Sequence, residues 1–398
     1  MTVTKIAKIY FGINGIGLGH AKRSGRIIDE LRRRGHQIVC STYSNTPAYN
    51  YLQRKCQCTI GVPELAWHQS GDGGISYEKT MLRIPWGVGV AVHHLVSEYY
   101  ILKKVGPKIA ISDIRASTIE ASCRLGIPAF MIGLFFDLKK EVKSNAVRIP
   151  LRLLGGYLKH LAKKCEKVFF PDLPPPFTFY QRVLPEHPIP NIIFTGPILS
   201  EGIEFSIKEN NILEVKEKAK ERIGVSPDLD LILFIPSGVK KARTKFINDI
   251  IRLLPYLKRL KNEKIVVTMA SPDRKLRIHR IGENIEIWTW IPRIDDYLIA
   301  SDIIVGHVGM NKVFDAAAVG AFFIGIPTAN QFEQIALAKR IQELKIGYYL
   351  RKIDKKLIEL LIGLKNDNSW LKNVLSIANI IRRFKGVKTI IRVLEDYI

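Results

Sequence analysis

Acidic residues are scarce in this chain. Against 61 Lys and Arg it carries 37 Asp and Glu, a net charge of +24 over 398 residues. The imbalance speaks to partners rather than to fold, and suits polyphosphates, an anionic membrane surface or nucleic acid. Cysteine is also scarce. Cys40, Cys56, Cys58, Cys123 and Cys165 are odd in number and scattered, and Cys56-x-Cys58 has no second pair to complete a zinc site. They read as reduced and structural. No apolar run reaches the roughly 18 residues that a spanning helix needs. The nearest, 314–329, is cut by Gly320, Gly325 and Pro327. The N-terminus passes from Met1 into an apolar strand with no signal-peptide core, which implies a cytoplasmic protein.

A hydrophobic fraction of 47% and this length allow two α/β domains, each with its own core. Residues 6–11 read as a strand, followed by a glycine-rich loop, a helix over about 20–34 and a strand at 37–41. Apolar strands at 109–112, 129–132, 168–170 and 192–194 alternate with helical stretches, the pattern of a parallel, doubly wound sheet. After a linker near 195–202 the alternation restarts. Strands are expected at 230–235, 264–269, 285–288, 303–305 and 322–326, with a helix over 244–260. The expected organisation is an N-terminal domain over 1–198, a second over 199–365 and a helical, basic tail over 366–398.

The most informative segment is 306–315, Gly-His-Val-Gly-Met-Asn-Lys-Val-Phe-Asp. A short apolar strand runs through it directly into a helix. A helix start presents backbone N–H groups and a partial positive charge, a ready site for phosphate. His307, Asn311 and Lys312 add side-chain donors there. Asp315, one turn further in, suits the two neighbouring hydroxyls of a ribose. In the N-terminal loop Gly15, Gly17 and Gly19 alternate, which is not the G-x-G-x-x-G spacing of a dinucleotide site. The second strand ends in Ser41-Thr42-Tyr43, with no acid for an adenosine ribose. His20 closes this loop as a candidate general base or phosphate ligand. Asp113 ends the strand at 109–112. It stands as a partner for His20, as a base itself, or as the cap of a helix near Ala116.

The 306–315 segment resembles the donor-binding signature of two-domain GT-B nucleotide-sugar glycosyltransferases, which include the plant and animal UDP-glycosyltransferases and the MurG-like enzymes. That pattern is roughly His-x-Gly-x-Asn-Ser-x-x-Glu. The chain keeps His307, Gly309 and Asn311, with Lys312 in place of Ser and Asp315 in place of Glu. Upstream, Trp290-Ile291-Pro292 resembles the family's Trp-x-Pro-Gln, with Arg293 replacing Gln. Downstream, Pro327 followed by Glu333-Gln334 and Ala336 resembles the family's Pro, acidic-Gln pair and Ala. The glycine-rich loop ending in His20 is similar to that of MurG-like enzymes.

The resemblance implies two Rossmann-like domains facing a cleft, with the last helix crossing back to the first domain. It implies uracil on Trp290 and the main chain at Ile291. The diphosphate would lie on His307, Gly309, Met310, Asn311 and Lys312, the ribose on Asp315 and the sugar on Glu333 and Gln334. Ser237 and Gly238 either close over the diphosphate or form a solvated loop. His20, oriented by Asp113, would face the cleft and activate an acceptor hydroxyl. The implied activity is inverting transfer of a hexose or N-acetylhexosamine from a UDP-sugar, with no cofactor and no metal. Asp228-Leu-Asp230 reads as a turn rather than a metal motif. Two alternatives remain: a UDP-sugar 2-epimerase of the same fold, or a non-catalytic basic protein on membranes or nucleic acid. The last lacks the interleaved aromatics of a single-strand binder, so nucleic acid is not the expected partner.

Residues 139–167 hold nine Lys and Arg (139, 140, 143, 148, 152, 159, 163, 164, 167) against Glu141 and Glu166. Ile149, Leu151, Leu153, Leu154, Tyr157, Leu158 and Leu161 add an apolar stripe at helical steps. A basic amphipathic helix suits an anionic membrane surface. Residues 81–96, with Trp86 and His93-His94, offer more apolar surface. Together with the MurG-like loop, these features point to a lipid-linked sugar acceptor and a peripheral position on the inner face of the membrane.

Overall fold

The computed structural model describes residues 6–398 apart from 66–67, 72, 134–140, 143–144, 186–188, 190, 209–210 and 272–273. The chain divides into two compact units. Unit 1 comprises the chain up to His68, Ser76–Ile198 and Lys385–Ile398; unit 2 comprises Gln69–Ile75 and Leu199–Phe384.

In unit 1 the chain runs β1 (Lys8–Ile13), α1 (Gly19–Arg33), β2 (Gln37–Tyr43), α2 (Pro47–Gln53), β3 (Cys58–Val62), α3 (Tyr77–Met81), α4 (Ile84–Val105), β4 (Ile109–Asp113), α5 (Ala116–Arg124), β5 (Ala129–Ile132), α6 (Asn145–Lys164), β6 (Lys167–Phe170) and β7 (Ile192–Phe194). The seven strands pair in the order β3-β2-β1-β4-β5-β6-β7. Every pairing is parallel. β4 and β5 are buried along their whole length, because helices cover both faces of a parallel sheet. Ile109–Ile111 and Ala129–Ile132 are therefore continuous apolar runs instead of alternating ones.

Unit 2 continues with α7 (Glu201–Ser206), α8 (Ile212–Arg222), β8 (Asp230–Ile235), α9 (Lys240–Leu257), β9 (Glu263–Thr268), β10 (Ile278–Ile281), β11 (Ile285–Trp288), α10 (Ile294–Ala300), β12 (Ile303–His307), α11 (Met310–Ala318), β13 (Phe322–Ile326), α12 (Phe332–Glu343), β14 (Gly347–Tyr349), α13 (Lys355–Asn366) and α14 (Ser369–Arg382). Its strand order is β10-β11-β9-β8-β12-β13-β14. Only the β10–β11 pairing is antiparallel. Each sheet reverses its winding once, between β1 and β4 in unit 1 and between β8 and β12 in unit 2. The carboxyl ends of strands flanking such a reversal form the crevice where doubly wound folds bind ligands.

The segment expected as one helical tail from residue 366 divides. α14 stays in unit 2, whereas α15 (Gly386–Glu395) belongs to unit 1. Val387, Ile390, Ile391 and Leu394 form a complete amphipathic face on α15 and join Ile27, Ile28 and Leu31 of α1 in one core. Arg34 and Glu395 form an ion pair at its edge.

The stripe expected on α6 is two stripes. Leu151, Leu158 and Leu161 are buried, but Ile149, Leu153 and Tyr157, four residues apart, are 61%, 70% and 42% exposed. Arg148 and Arg152 lie on the same exposed surface. Lys139, Lys140 and Lys143 lie outside the described residues. Among the described residues no helix is long and apolar enough to cross a membrane.

Candidate active site

The reversal point of unit 1 is built from the loop after β1 and the last residue of β4. Ile13 and Asp113 are register partners, and the N–H of Asn14 donates to the main-chain oxygen of Asp113 at 3.1 Å. The glycines of this loop answer two different demands. A Cβ on Gly15 would sit 2.7 Å from the Cβ of Tyr43, and Gly17 has a φ of +68° that other residues rarely adopt. The loop delivers the chain into α1 with His20 in its first turn.

Four donors converge on the buried Asp113 carboxylate. Oδ1 accepts from His20 Nδ1 at 2.8 Å and from Arg23 Nη2. Oδ2 accepts from Arg23 Nε at 3.1 Å and Ser24 Oγ at 2.7 Å. Burial alone would raise the Asp113 pKa, but the charge of Arg23, then that of His20, and their hydrogen bonds hold it well below the usual carboxylate range. Arg23 Nη2 also lies 3.1 Å from His20 Nδ1. An ionised carboxylate only accepts, so Nδ1 carries the hydrogen in this pair; a neutral ring in that tautomer has its lone pair on Nε2. Asp113 has its acceptor sites filled and no exposure, which suits an orienting role and not that of a base. Nor does it cap α5, whose first turn has Arg115 at its N-cap and no side-chain cap. Sequence reasoning missed Arg23 and Ser24. The available signal was their position three and four residues after His20, on one helical face.

The reversal point of unit 2 joins the end of β8 to the end of β12. The N–H of Ser237 donates to His307 Nδ1 at 3.0 Å. This fixes the tautomer with the hydrogen on Nε2, ready to donate. Burial, then the charges of Lys312 and Lys245, push the His307 pKa down to about 3, so the ring is neutral. Lys312 Nζ donates to the main-chain oxygen of Ile235 at 2.7 Å, which sets its charge at the same strand end. α11 starts directly after β12 with Gly309 at its N-cap, so the positive end of its dipole, with Met310 and Asn311 in the first turn, lies at the carboxyl edge of the sheet.

The other expected residues of unit 2 have varied engagements. Half-buried Asp315 accepts through Oδ1 from the N–H of Ser200 at 3.3 Å. Half-buried Trp290 and buried Ile291 lie in the loop between β11 and α10. Gly238 is exposed in the loop after β8. Glu333 stands in the first turn of α12. Gln334 is tied to its own loop: its Oε1 accepts from Thr328 N–H at 2.7 Å and its Nε2 donates to Gln331 Oε1 at 2.6 Å. His307 further lines a cavity of about 310 Å³ that sequence reasoning did not foresee. The Phe246 ring of α9 lies 4.9 Å from the His307 ring in its wall.

Residues 232–378 match the glycosyltransferase family 28 C-terminal domain. The chain is similar to an uncharacterized glycosyltransferase of Methanosarcina mazei, 21% identical over 98% of both chains. Among solved structures, MurG of Acinetobacter baumannii has a TM-score of 0.60 at 11% identity, covering 98% of this chain and 99% of that one. UGT2 of Phytolacca americana, complexed with UDP-2-fluoroglucose and pterostilbene, has a TM-score of 0.67 at 13% identity with the same coverage. The two doubly wound sheets, the matched C-terminal domain and these likenesses agree on a glycosyltransferase of the GT-B fold.

Proposed function

We propose that the protein is an inverting glycosyltransferase that moves a hexose or N-acetylhexosamine from a UDP-sugar to an acceptor hydroxyl on a polyprenyl- or dolichyl-diphosphate-linked sugar. The observation that carries this reading is the His20–Asp113 pair, with Arg23 and Ser24 holding the carboxylate ionised and directed at His20 Nδ1. Nε2 takes the acceptor's hydroxyl proton. The acceptor oxygen forms a bond to the anomeric carbon as the bond to the diphosphate oxygen breaks on the opposite face, and UDP leaves. The α11 N-terminus, the neutral His307 Nε2–H and Lys312 take up the charge developing on the diphosphate, without reorganisation at the moment of reaction. Asp315 takes the ribose, Trp290 and the main chain at Ile291 the uracil, and Glu333 and Gln334 the sugar. Ser237 and Gly238 border the diphosphate. The UDP-sugar bound in the Phytolacca americana structure supports a nucleotide sugar as donor.

The exposed Ile149, Leu153 and Tyr157 ridge, flanked by Arg148 and Arg152, supports a membrane-borne acceptor and a peripheral position on an anionic membrane face. The test is incubation with a panel of UDP-sugars and a membrane lipid extract, followed by mass analysis. A glycosylated lipid formed by the wild type and not by His20→Ala, with UDP binding retained in the variant, is the expected result. Conversion of a UDP-sugar to its epimer without any acceptor would replace this reading with the epimerase. Failure to bind any UDP compound would end it.

A further inference from the structure

The cavity beside His307 lies at the carboxyl end of the unit 2 sheet, on the α9 side. Its wall includes Lys245, Phe246 and Asp249 from one face of α9, His307 at the end of β12, and Arg351 and Lys352 just after β14. At about 310 Å³ it is at the small end of ligand pockets, whose range is roughly 300–1,000 Å³. That is room for one sugar ring rather than a whole nucleotide sugar. Its charge is unbalanced. Asp249 is the one acid among these lining residues, and it is engaged by Lys245 at 2.7 Å and by Arg252 at 3.3 Å. Lys352 has a loose partner in Asp354, 3.5 Å away. Arg351 forms no ion pair among the described residues. A carboxylate on the sugar would give such a surplus an anionic partner.

Two positions of the cavity wall are held by a segment distant in sequence. Gln69–Ile75 belongs to unit 2, and it lies against two cavity-lining positions, Ala242 and Ala329. The N–H of Ile75 donates to Ala329 O at 3.1 Å, and Asn330 Nδ2 donates to Ile75 O at 3.0 Å. A Cβ on Gly73 would come within 2.6 Å of Ala242 N, and one on Gly74 within 2.6 Å of Ala329 O. Only glycine permits this approach, so the loop after β13 is clamped where it borders the cavity.

We propose that this cavity receives the transferred sugar and selects one bearing a carboxylate, a uronic acid, through Arg351 and Lys352. The inference rests on the nucleotide-sugar reading of the same unit but narrows its sugar to a hexuronic acid and seats it on this wall in place of Glu333 and Gln334, which do not line the cavity. A guanidinium meets a carboxylate through two parallel hydrogen bonds, and the aliphatic and aromatic wall of Phe246 and Tyr349 packs the ring's apolar face.

Equilibrium binding tests it with UDP, UDP-glucose and UDP-glucuronate, and with glucose 1-phosphate and glucuronate 1-phosphate as probes that need no uracil site. The expected result is a preference of about tenfold or more for the glucuronate member of each pair. In Arg351→Ala/Lys352→Ala that preference is lost while UDP affinity is unchanged. Equal affinity for UDP-glucose and UDP-glucuronate, with UDP bound normally, overturns the inference and leaves the donor reading intact. A variant that loses UDP affinity as much as UDP-glucuronate affinity assigns the cations to the diphosphate and also overturns it. A preference between the sugar phosphates without UDP binding sustains the cavity and ends the UDP assignment.

Discussion

At the residue scale the candidate base depends on a carboxylate that would be untenable alone. Asp113 is fully buried, and Arg23 supplies two of its four hydrogen bonds. Breaking a buried pair by removing one partner typically costs about 3–5 kcal/mol, because the other charge stays behind. Arg23→Met, which keeps the length and drops the donors, should cost about that much in urea unfolding, and Arg23→Lys should recover part of it. His307 makes a second prediction, in pH. Its folded pKa of about 3 lies below the ordinary 6.5, so the unfolded chain binds the proton first. The stability contributed by the neutral ring is complete above about 6.5 and falls as the pH drops toward 3, by up to about 1.4 kcal/mol per pH unit. Unfolding curves between pH 7.5 and 4 should therefore be steeper in pH for the wild type than for His307→Asn. Asp113 and His307 could be singled out because each ends an apolar strand, and His20 because the glycine-rich loop after one runs into it. Arg23 and Ser24 were not, because an Arg on a helix reads as solvent-facing until a buried acid is placed opposite it.

At the scale of elements, the helix that carries His20 is supported from the far end of the chain. Ile27, Ile28 and Leu31 of α1 share a core with Ile390, Ile391 and Leu394 of α15. Ile390 is completely buried. Ile390→Ala should lower stability by about 2–5 kcal/mol in denaturant titration, the usual cost of such a cavity. Loss of less than 1 kcal/mol would mean that α15 is dispensable to the fold. The central strands of both sheets could be read from sequence because burial on both faces makes them unbroken apolar runs. β3 and β10 could not, since they lie at sheet edges and have mixed exposure. Their residues follow neither a continuous nor a cleanly alternating pattern. The cavity was invisible for a related reason. Its walls come from α9, the ends of β12 and β13, and the segment after β14, which no local pattern joins.

At the scale of the whole molecule, the net charge of +24 suits an anionic counterpart, and a single UDP-sugar offsets little of it. The exposed ridge of α6 gives the remainder a direction. Each Lys or Arg close to an anionic surface contributes about 1 kcal/mol, and that contribution decays within a Debye length of roughly 8 Å in physiological salt. Arg148 and Arg152 thus supply only a couple of kcal/mol, and stable attachment requires the apolar ridge to enter the interface as well. Co-sedimentation with vesicles separates the two terms. Vesicles rich in anionic lipid should bind the wild type and release a large part of it as salt rises, whereas purely zwitterionic vesicles should bind weakly. Ile149→Glu/Leu153→Glu changes two residues that are already exposed, so folding should be preserved. It should abolish binding to anionic vesicles at every salt concentration, because it removes apolar contact and adds repulsion at once. Undiminished binding in that variant would show that charge alone holds the protein and that the α6 ridge faces something other than lipid.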